Sequence, residues 1–191
     1  MLRKLKPKKC KVCGELFTPF NSMGKVCSVS CGALHAKKET QKRYRKEARE
    51  FKEIHKPKRS LLTEAQKAFN GYIRIRDHRK PCISCESWKE QTTLSWSQMQ
   101  AGHWYSVGAH PELRFTTWNC RIQCTACNIN LSGNPINYRL GLQKRFGREW
   151  VDRREQEAID KQANHYSKDE LRRIKKIFSK KARLYKKFRE L

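Results

Sequence analysis

The sequence predicts a small α+β protein stapled at two places by paired cysteines, with basic helices around the staples. Three observations point there. Eight of nine cysteines fall into two sets of close pairs. Charged stretches free of Gly and Pro flank a centre rich in Trp, Cys and Asn. Only 37% of the residues are hydrophobic and the mean hydropathy is −0.92, too little for one large core in a chain of 191 residues.

The first set is Cys10-x2-Cys13 and Cys27-x3-Cys31, with 13 residues between the pairs. Four thiolates at this spacing can close a tetrahedral zinc site, a zinc finger, with His35 as a second candidate for the last position. The stretch Ala33–Phe51 that follows is charged and free of helix breakers, so a helix is expected there. The second set, Cys82-x2-Cys85 and Cys124-x2-Cys127, is separated by 38 residues and suits a second structural Zn2+. A zinc ion saturated by four thiolates has no open position, so any chemistry must come from elsewhere. Cys120 is the odd thiol, read as a small buried residue, with a swap for Cys124 as the alternative.

Lys56 to Ser60 reads as a linker. Thr63 and Gln66 fit a capping box that starts a helix running to about Asp77. Between the second pairs, Thr92 to Ser106 alternates loosely and Leu113 to Trp118 is rich in aromatic and β-branched residues, so a hairpin of these two strands is expected. A helix follows Cys127, interrupted at Ser132-Gly133-Asn134-Pro135. Ser167-x-x-Glu170 is a further capping box, and Leu171, Ile174, Phe178, Ala182, Tyr185 and Phe188 lie on one face of the helix behind it. The opposite face is Lys and Arg, suited to lie along a duplex arm, and the apolar stripe suits the seam of a homodimer. Three segments result: a finger with its helix (1–56), a core on the second knuckle (57–150) and a basic helical tail (151–191).

With 44 Lys+Arg against 18 Asp+Glu the formal charge is +26, the signature of a phosphate-binding protein. Residues 1–59 hold 18 basic and 5 acidic side chains, and residues 166–191 hold 11 and 3. No run approaches the length of a membrane span, and the first residues lack the apolar stretch of a signal peptide. The expectation is a cytoplasmic DNA-binding protein with no membrane contact.

Within the centre, His103 on the first strand and Asn128 just after Cys127 are expected to face each other across a ββα unit. A neutral imidazole can take a proton from water, and an amide oxygen can hold a hard cation such as Mg2+ or Mn2+ near a phosphate. Asn119 is placed to hydrogen-bond the loop carrying His103. Taken singly, His103 reads as a core residue and the two asparagines as turn or cap residues. Their grouping around the knuckle is what argues for a site.

The order Cys82-x2-Cys85, Gly102-His103, Asn119, Cys124-x2-Cys127-Asn128 resembles the HNH, or His-Me finger, nucleases in their H-N-N form, and also phage endonuclease VII. The wider run through Pro111-Glu-Leu-Arg-Phe115 to Leu131-Ser-Gly-Asn134 is similar to the NinG (Rap) recombination proteins of lambdoid phages. The resemblance implies an HNH-like ββα-metal core and a structure-specific endonuclease that cuts Holliday junctions and D-loops in the host cell cytoplasm. His103 would be the general base, Asn119 the structural middle residue and Asn128 a metal ligand. Most such sites carry an Asp before the base; here that position is Gly102, and no acidic residue occurs from Gln91 to Pro111. Gln100, His110, Ser132 and Asn134 are candidates for the missing ligands. Two rival readings are a non-catalytic zinc DNA-binding protein and a sequence-specific HNH nuclease.

Overall fold

The computed structural model describes residues 5–87, 99–161 and 165–189. It is mixed α+β, mostly helical with two small antiparallel hairpins, and divides into two compact units, residues 1–56 and 57–191.

In the first unit, β1 (Lys8–Lys9) pairs with β2 (Leu16–Phe17), and α1 spans Val29–Ile54. The helix begins earlier than its charge pattern suggests because the Ser28 hydroxyl accepts from the Cys31 amide at 3.2 Å, capping the turn that carries the last cysteine. None of its residues is buried. Exposed pairs such as Lys42–Glu39, Arg43–Glu47 and Lys46–Glu50 line its surface at i,i+3 and i,i+4 spacing.

The second unit is built on α2 (Lys58–Arg76), whose buried residues Leu61, Ala65, Phe69, Tyr72 and Ile73 make one stripe. The expected capping box at Thr63 is not a helix start. Pro57 occupies the N-cap, where its missing N–H is no loss, and the Thr63 hydroxyl donates to the Arg59 carbonyl within the helix. The linker is correspondingly shorter than anticipated.

α5 (Lys168–Arg189) carries the box formed by Ser167 and Glu170, with reciprocal bonds of 2.7 and 3.2 Å. It is not a detached tail. Its apolar stripe packs on α2: Leu171 joins Leu61 and Ala65, and Phe178 meets Phe69 edge-on at 4.8 Å and Tyr72 at 5.4 Å. The first half of the stripe is thus covered by α2, while Phe188 at its far end is exposed.

In sequence between α2 and α5 comes the hairpin of β3 (Met99–His103) and β4 (Cys120–Cys124), in register Met99↔Cys124 to His103↔Cys120. The first strand falls within the expected segment, of which residues 92–98 lie outside the described residues. The second does not fall at Leu113–Trp118. Pro111 opens a short 3-10 turn, and bonds from Arg114 N to Pro111 O, Thr116 N to Leu113 O and Asn119 N to Thr116 O coil that stretch into successive turns. Local turn chemistry overrides its β-like composition. Buried Asp77 ties α2 to β4, accepting from Arg76 at 2.6 and 2.9 Å and from the Ile122 amide at 3.3 Å.

After β4 a π-helical turn (Ala126–Asn130) leads to α3 (Pro135–Phe146) and α4 (Arg148–Asp160). Ser132, Gly133 and Asn134 all have positive φ, which is the interruption seen in the sequence. α3 lies directly on the Cys82–Cys85 loop: a Cβ at Gly141 would stand 1.8 Å from the Ile83 carbonyl oxygen. No described helix is long and apolar enough to cross a membrane.

Because Phe178 anchors α5 on α2, Phe178→Ala should lower the stability of the zinc-loaded chain by about 3 kcal/mol, read from urea denaturation.

Candidate metal and phosphate site

Both four-cysteine sets converge. The Sγ atoms of Cys10, Cys13, Cys27 and Cys31 lie within 4.8 Å of one another, and so do those of Cys82, Cys85, Cys124 and Cys127. Individual separations are 3.5 Å for Cys13–Cys27, 3.7 Å for Cys27–Cys31 and 3.8 Å for Cys85–Cys124. A tetrahedron of zinc–sulfur bonds has edges of about 3.8 Å, so both clusters fit Zn2+. His35 is not among the converging atoms, and Cys120 belongs to neither set. Cys120 is fully buried, where desolvation pushes its thiol up.

The second cluster sits at the root of the hairpin. Cys124 ends β4 and Cys127 lies in the π turn, while Cys82 and Cys85 come from the loop after α2, which is bonded to the strand through Ile83 N to Ile122 O at 3.1 Å. The cluster thereby sets where β4 ends and where Asn128 begins.

Alternation along the hairpin then sorts the side chains into two faces. Met99, Ala101 and His103 share one face with their partners Cys124, Ile122 and Cys120. His103 is half-buried there. Its ring stacks against Phe69 at 5.9 Å, Nε2 is 3.0 Å from the Arg114 carbonyl oxygen, and Nδ1 is 4.0 Å from Cys120 Sγ. A carbonyl only accepts, so the bond puts the proton on Nε2 and leaves the lone pair on Nδ1 when the ring is neutral. Burial pushes the imidazole below the ordinary histidine value; the Arg114 carbonyl opposes this, and the Arg114 charge adds to it.

Asn119 is wholly buried. Its Oδ1 accepts from the Tyr105 amide at 2.8 Å, and its Nδ2 donates to the carbonyls of Tyr105 and Leu113 at 3.1 and 3.3 Å. It thus ties the chain leaving His103 to the segment that presents the Arg114 carbonyl.

Gln100, Gly102, Arg121 and Gln123 occupy the other face. Asn128 is there too: Nδ2 donates to Gln100 Oε1 at 2.6 Å, and Oδ1 lies 3.0 Å from where a Gly102 Cβ would be. His103 and Asn128 therefore do not face each other. They flank one strand end, with Gly102 against Asn128 and His103 as the next residue on the opposite side. Period-two alternation explains the difference, since one residue along a strand reverses the face.

Of the other candidate ligands, His110 pairs with Glu112 at 3.0 Å, Asn134 Nδ2 lies 3.6 Å from Cys127 Sγ, and Ser132 is exposed in its left-handed turn. Gln123 was not singled out by sequence reasoning. It is fully buried, with Nε2 donating to Ser84 Oγ at 2.7 Å and to the Gly133 carbonyl at 2.8 Å. A polar residue at an inward strand position just before a zinc cysteine was the available signal. The donors gathered at Gly102 are amide oxygens, hard donors of the kind that suits Mg2+ or Mn2+ rather than a third zinc.

Comparison with known proteins places this geometry in a family context. The family model described as Bacteriophage Lambda NinG protein matches residues 2–190. The chain is 34% identical over 192 residues to protein ninG of Escherichia phage 933W, covering 91% of each. It is 43% identical over 97 residues to protein ninG of Escherichia phage lambda, covering 51% of this chain and 45% of that one. Against protein ninG of Salmonella phage P22 the identity is 37% over 126 residues, 66% of this chain and 58% of the relative. No solved structure matches.

Elemental analysis of the purified chain should return about two zinc ions per molecule. Cys85→Ser should lower this to about one and unfold the second unit, whereas Cys13→Ser should remove one ion and leave the melting of the second unit in place.

Proposed function

The chain belongs to the bacteriophage NinG family, and from that premise we propose that it is an HNH-like, divalent-metal-dependent endonuclease that cuts branched DNA recombination intermediates such as Holliday junctions and D-loops. The observation that carries this reading is the state of His103: its Nε2 proton is committed to the Arg114 carbonyl, so the neutral ring offers Nδ1 as a base. A lowered imidazole pKa keeps that base unprotonated at neutral pH.

His103 takes the proton of the attacking water. Asn119 is a positioning residue, holding Tyr105 and Leu113 so that the strand exit and the carbonyl that sets the tautomer stay in register. Asn128 offers Oδ1 to the cation. A bound Mg2+ or Mn2+ would supply positive charge to the scissile phosphate and the leaving oxygen. The charge of +26 provides affinity for the duplex arms through phosphate neutralisation. Specificity for branches rests on the family resemblance. The host cell cytoplasm is the proposed place of action.

A second reading, a zinc-stapled DNA-binding protein without catalysis, is favoured by one observation: His103 is half-buried and Nδ1 lies near Cys120 Sγ. One assay separates the readings. With Mg2+ or Mn2+, wild type should nick a four-way junction, and His103→Ala should slow cleavage roughly 10²- to 10⁴-fold while leaving junction affinity within about threefold. Binding without cleavage by wild type under all metals selects the second reading. Equal cutting of a linear duplex of the same sequence selects a sequence-specific nuclease.

The pH profile follows from the same geometry. A histidine lowered below its free value of about 6.5 places the acid limb of single-turnover cleavage below pH 6.5. Because the unfolded chain then binds the proton more readily, His103's contribution to stability is fully present above about pH 6.5 and is lost as pH falls toward the folded value. Denaturation midpoints of wild type and His103→Ala across pH 5–7.5 would show it as a difference that narrows on acidification.

A further inference from the structure

Among the described residues on the Gly102 face of the hairpin, two buried side-chain atoms lack a hydrogen-bond partner, Arg121 Nε and Gln123 Oε1, and only the second is an acceptor. Gln123 Nε2 has two partners, but Oε1, also buried, has none among the described residues. Reversing the amide would set Oε1 against the Gly133 carbonyl, two acceptors 2.8 Å apart, so the orientation is determined. A buried carbonyl left without a partner is unfavourable, because its hydration is lost and nothing replaces it. A ligand at that oxygen removes the cost.

The oxygen is aimed at Gly102. A Cβ there would stand 1.9 Å from Gln123 Oε1 and 3.0 Å from Asn128 Oδ1. Both oxygens therefore border one small volume, and their separation is no greater than the sum of those two distances. Neither can donate to the other, and each amide nitrogen is already turned away, to Ser84 and Gly133 in one case and to Gln100 in the other. Two carbonyl dipoles with their negative ends converging are repulsive unless something positive lies between them. Glycine at 102 is what lets Gln123 reach this position, since any side chain would displace it.

We infer that Gln123 is a protein ligand of the catalytic divalent cation, acting with Asn128 as a pair of amide oxygens in the space that Gly102 leaves free. This rests on the metal-dependent reading above and supplies an oxygen ligand at a site where Gly102 stands in place of the usual Asp. Two neutral ligands bind Mg2+ weakly, so most of the coordination is left to water and to DNA phosphate. The Ser84 bond anchors Gln123 to the second zinc knuckle, so the ion's seat is set by the same clasp that ends β4.

The test is Mn2+ titration of the zinc-loaded full chain, with free Mn2+ followed by electron paramagnetic resonance and site contact by broadening of amide signals in NMR. In wild type, the backbone signals of Gly102, Gln123 and Asn128 and the Gln123 side-chain amide should broaden at the lowest Mn2+, and excess Mg2+ should restore them. Asn128→Asp should raise Mn2+ affinity at least tenfold. In that background Gln123→Met, of similar length but without the oxygen, should lower it at least fivefold, with zinc content unchanged. Broadening that spares residues 102 and 123, or Gln123→Met with unaltered affinity, overturns the inference. If wild type cuts a junction and Gln123→Met binds Mn2+ as wild type does, the inference falls and the nuclease stands. If Mn2+ affinity follows position 123 but wild type cuts nothing, the inference stands and the nuclease reading falls.

Discussion

Four cysteine sulfurs from two distant stretches set the geometry of the second unit. Cys82 and Cys85 follow α2, Cys124 closes β4, and Cys127 lies in the π turn, with all four Sγ atoms within 4.8 Å of one another. A two-strand hairpin of five residues a side is marginal alone. Here one end is held by the cluster and the flank by Asp77, which bonds Arg76 and the Ile122 amide together. With zinc contributing on the order of 10 kcal/mol, the cluster compensates for a chain that is only modestly apolar and strongly self-repelling. Register follows from the same constraint, and with it which residues meet at Gly102.

The two faces of the hairpin divide the work of the proposed site. His103 stacks on Phe69 of α2, itself packed against Phe178 of α5, and burial there lowers its affinity for a proton. Gln100, Gln123 and Asn128 gather on the opposite side, which they share with Arg121. That guanidinium is turned onto the rings of Phe146 and Trp150, 4.7 and 6.0 Å away, and so is drawn off the amide cluster. A base in apolar surroundings and neutral oxygens on the far side keep apart two groups whose electrostatic requirements conflict.

Much of this was legible in the sequence, and the parts that were not have physical reasons. Cysteine spacing carried both clusters because thiolate geometry is local and strict. Ser167 and Glu170 formed their box because capping depends on four residues alone. The burial of Cys120 and Asn119 also agrees with their reading as a packed thiol and a loop tie. The second strand was misplaced because Leu113 to Trp118 has strand-like composition, yet Pro111 and a chain of turn hydrogen bonds coil it. The start of α2 was misplaced because Thr63 resembles a cap but bonds back into a helix already begun at Lys58. Which face His103 takes depends on strand register to a single residue, and the register is set by the distant cysteines. Gln123 was overlooked because its importance lies in an unsatisfied oxygen, which is visible only in three dimensions.

Helix α1 has no interior: 26 residues with none buried, entered through the turn that carries Cys31. Such a rod, about 39 Å long by its rise per residue, owes its persistence to neighbours three and four positions away and to the cap at its first turn. It therefore lies at the shallow end of the molecule's free-energy scale and frays residue by residue instead of melting as a block. Solvent exchange and proteases reach it first, while the aromatic layer between α2 and α5 stays closed.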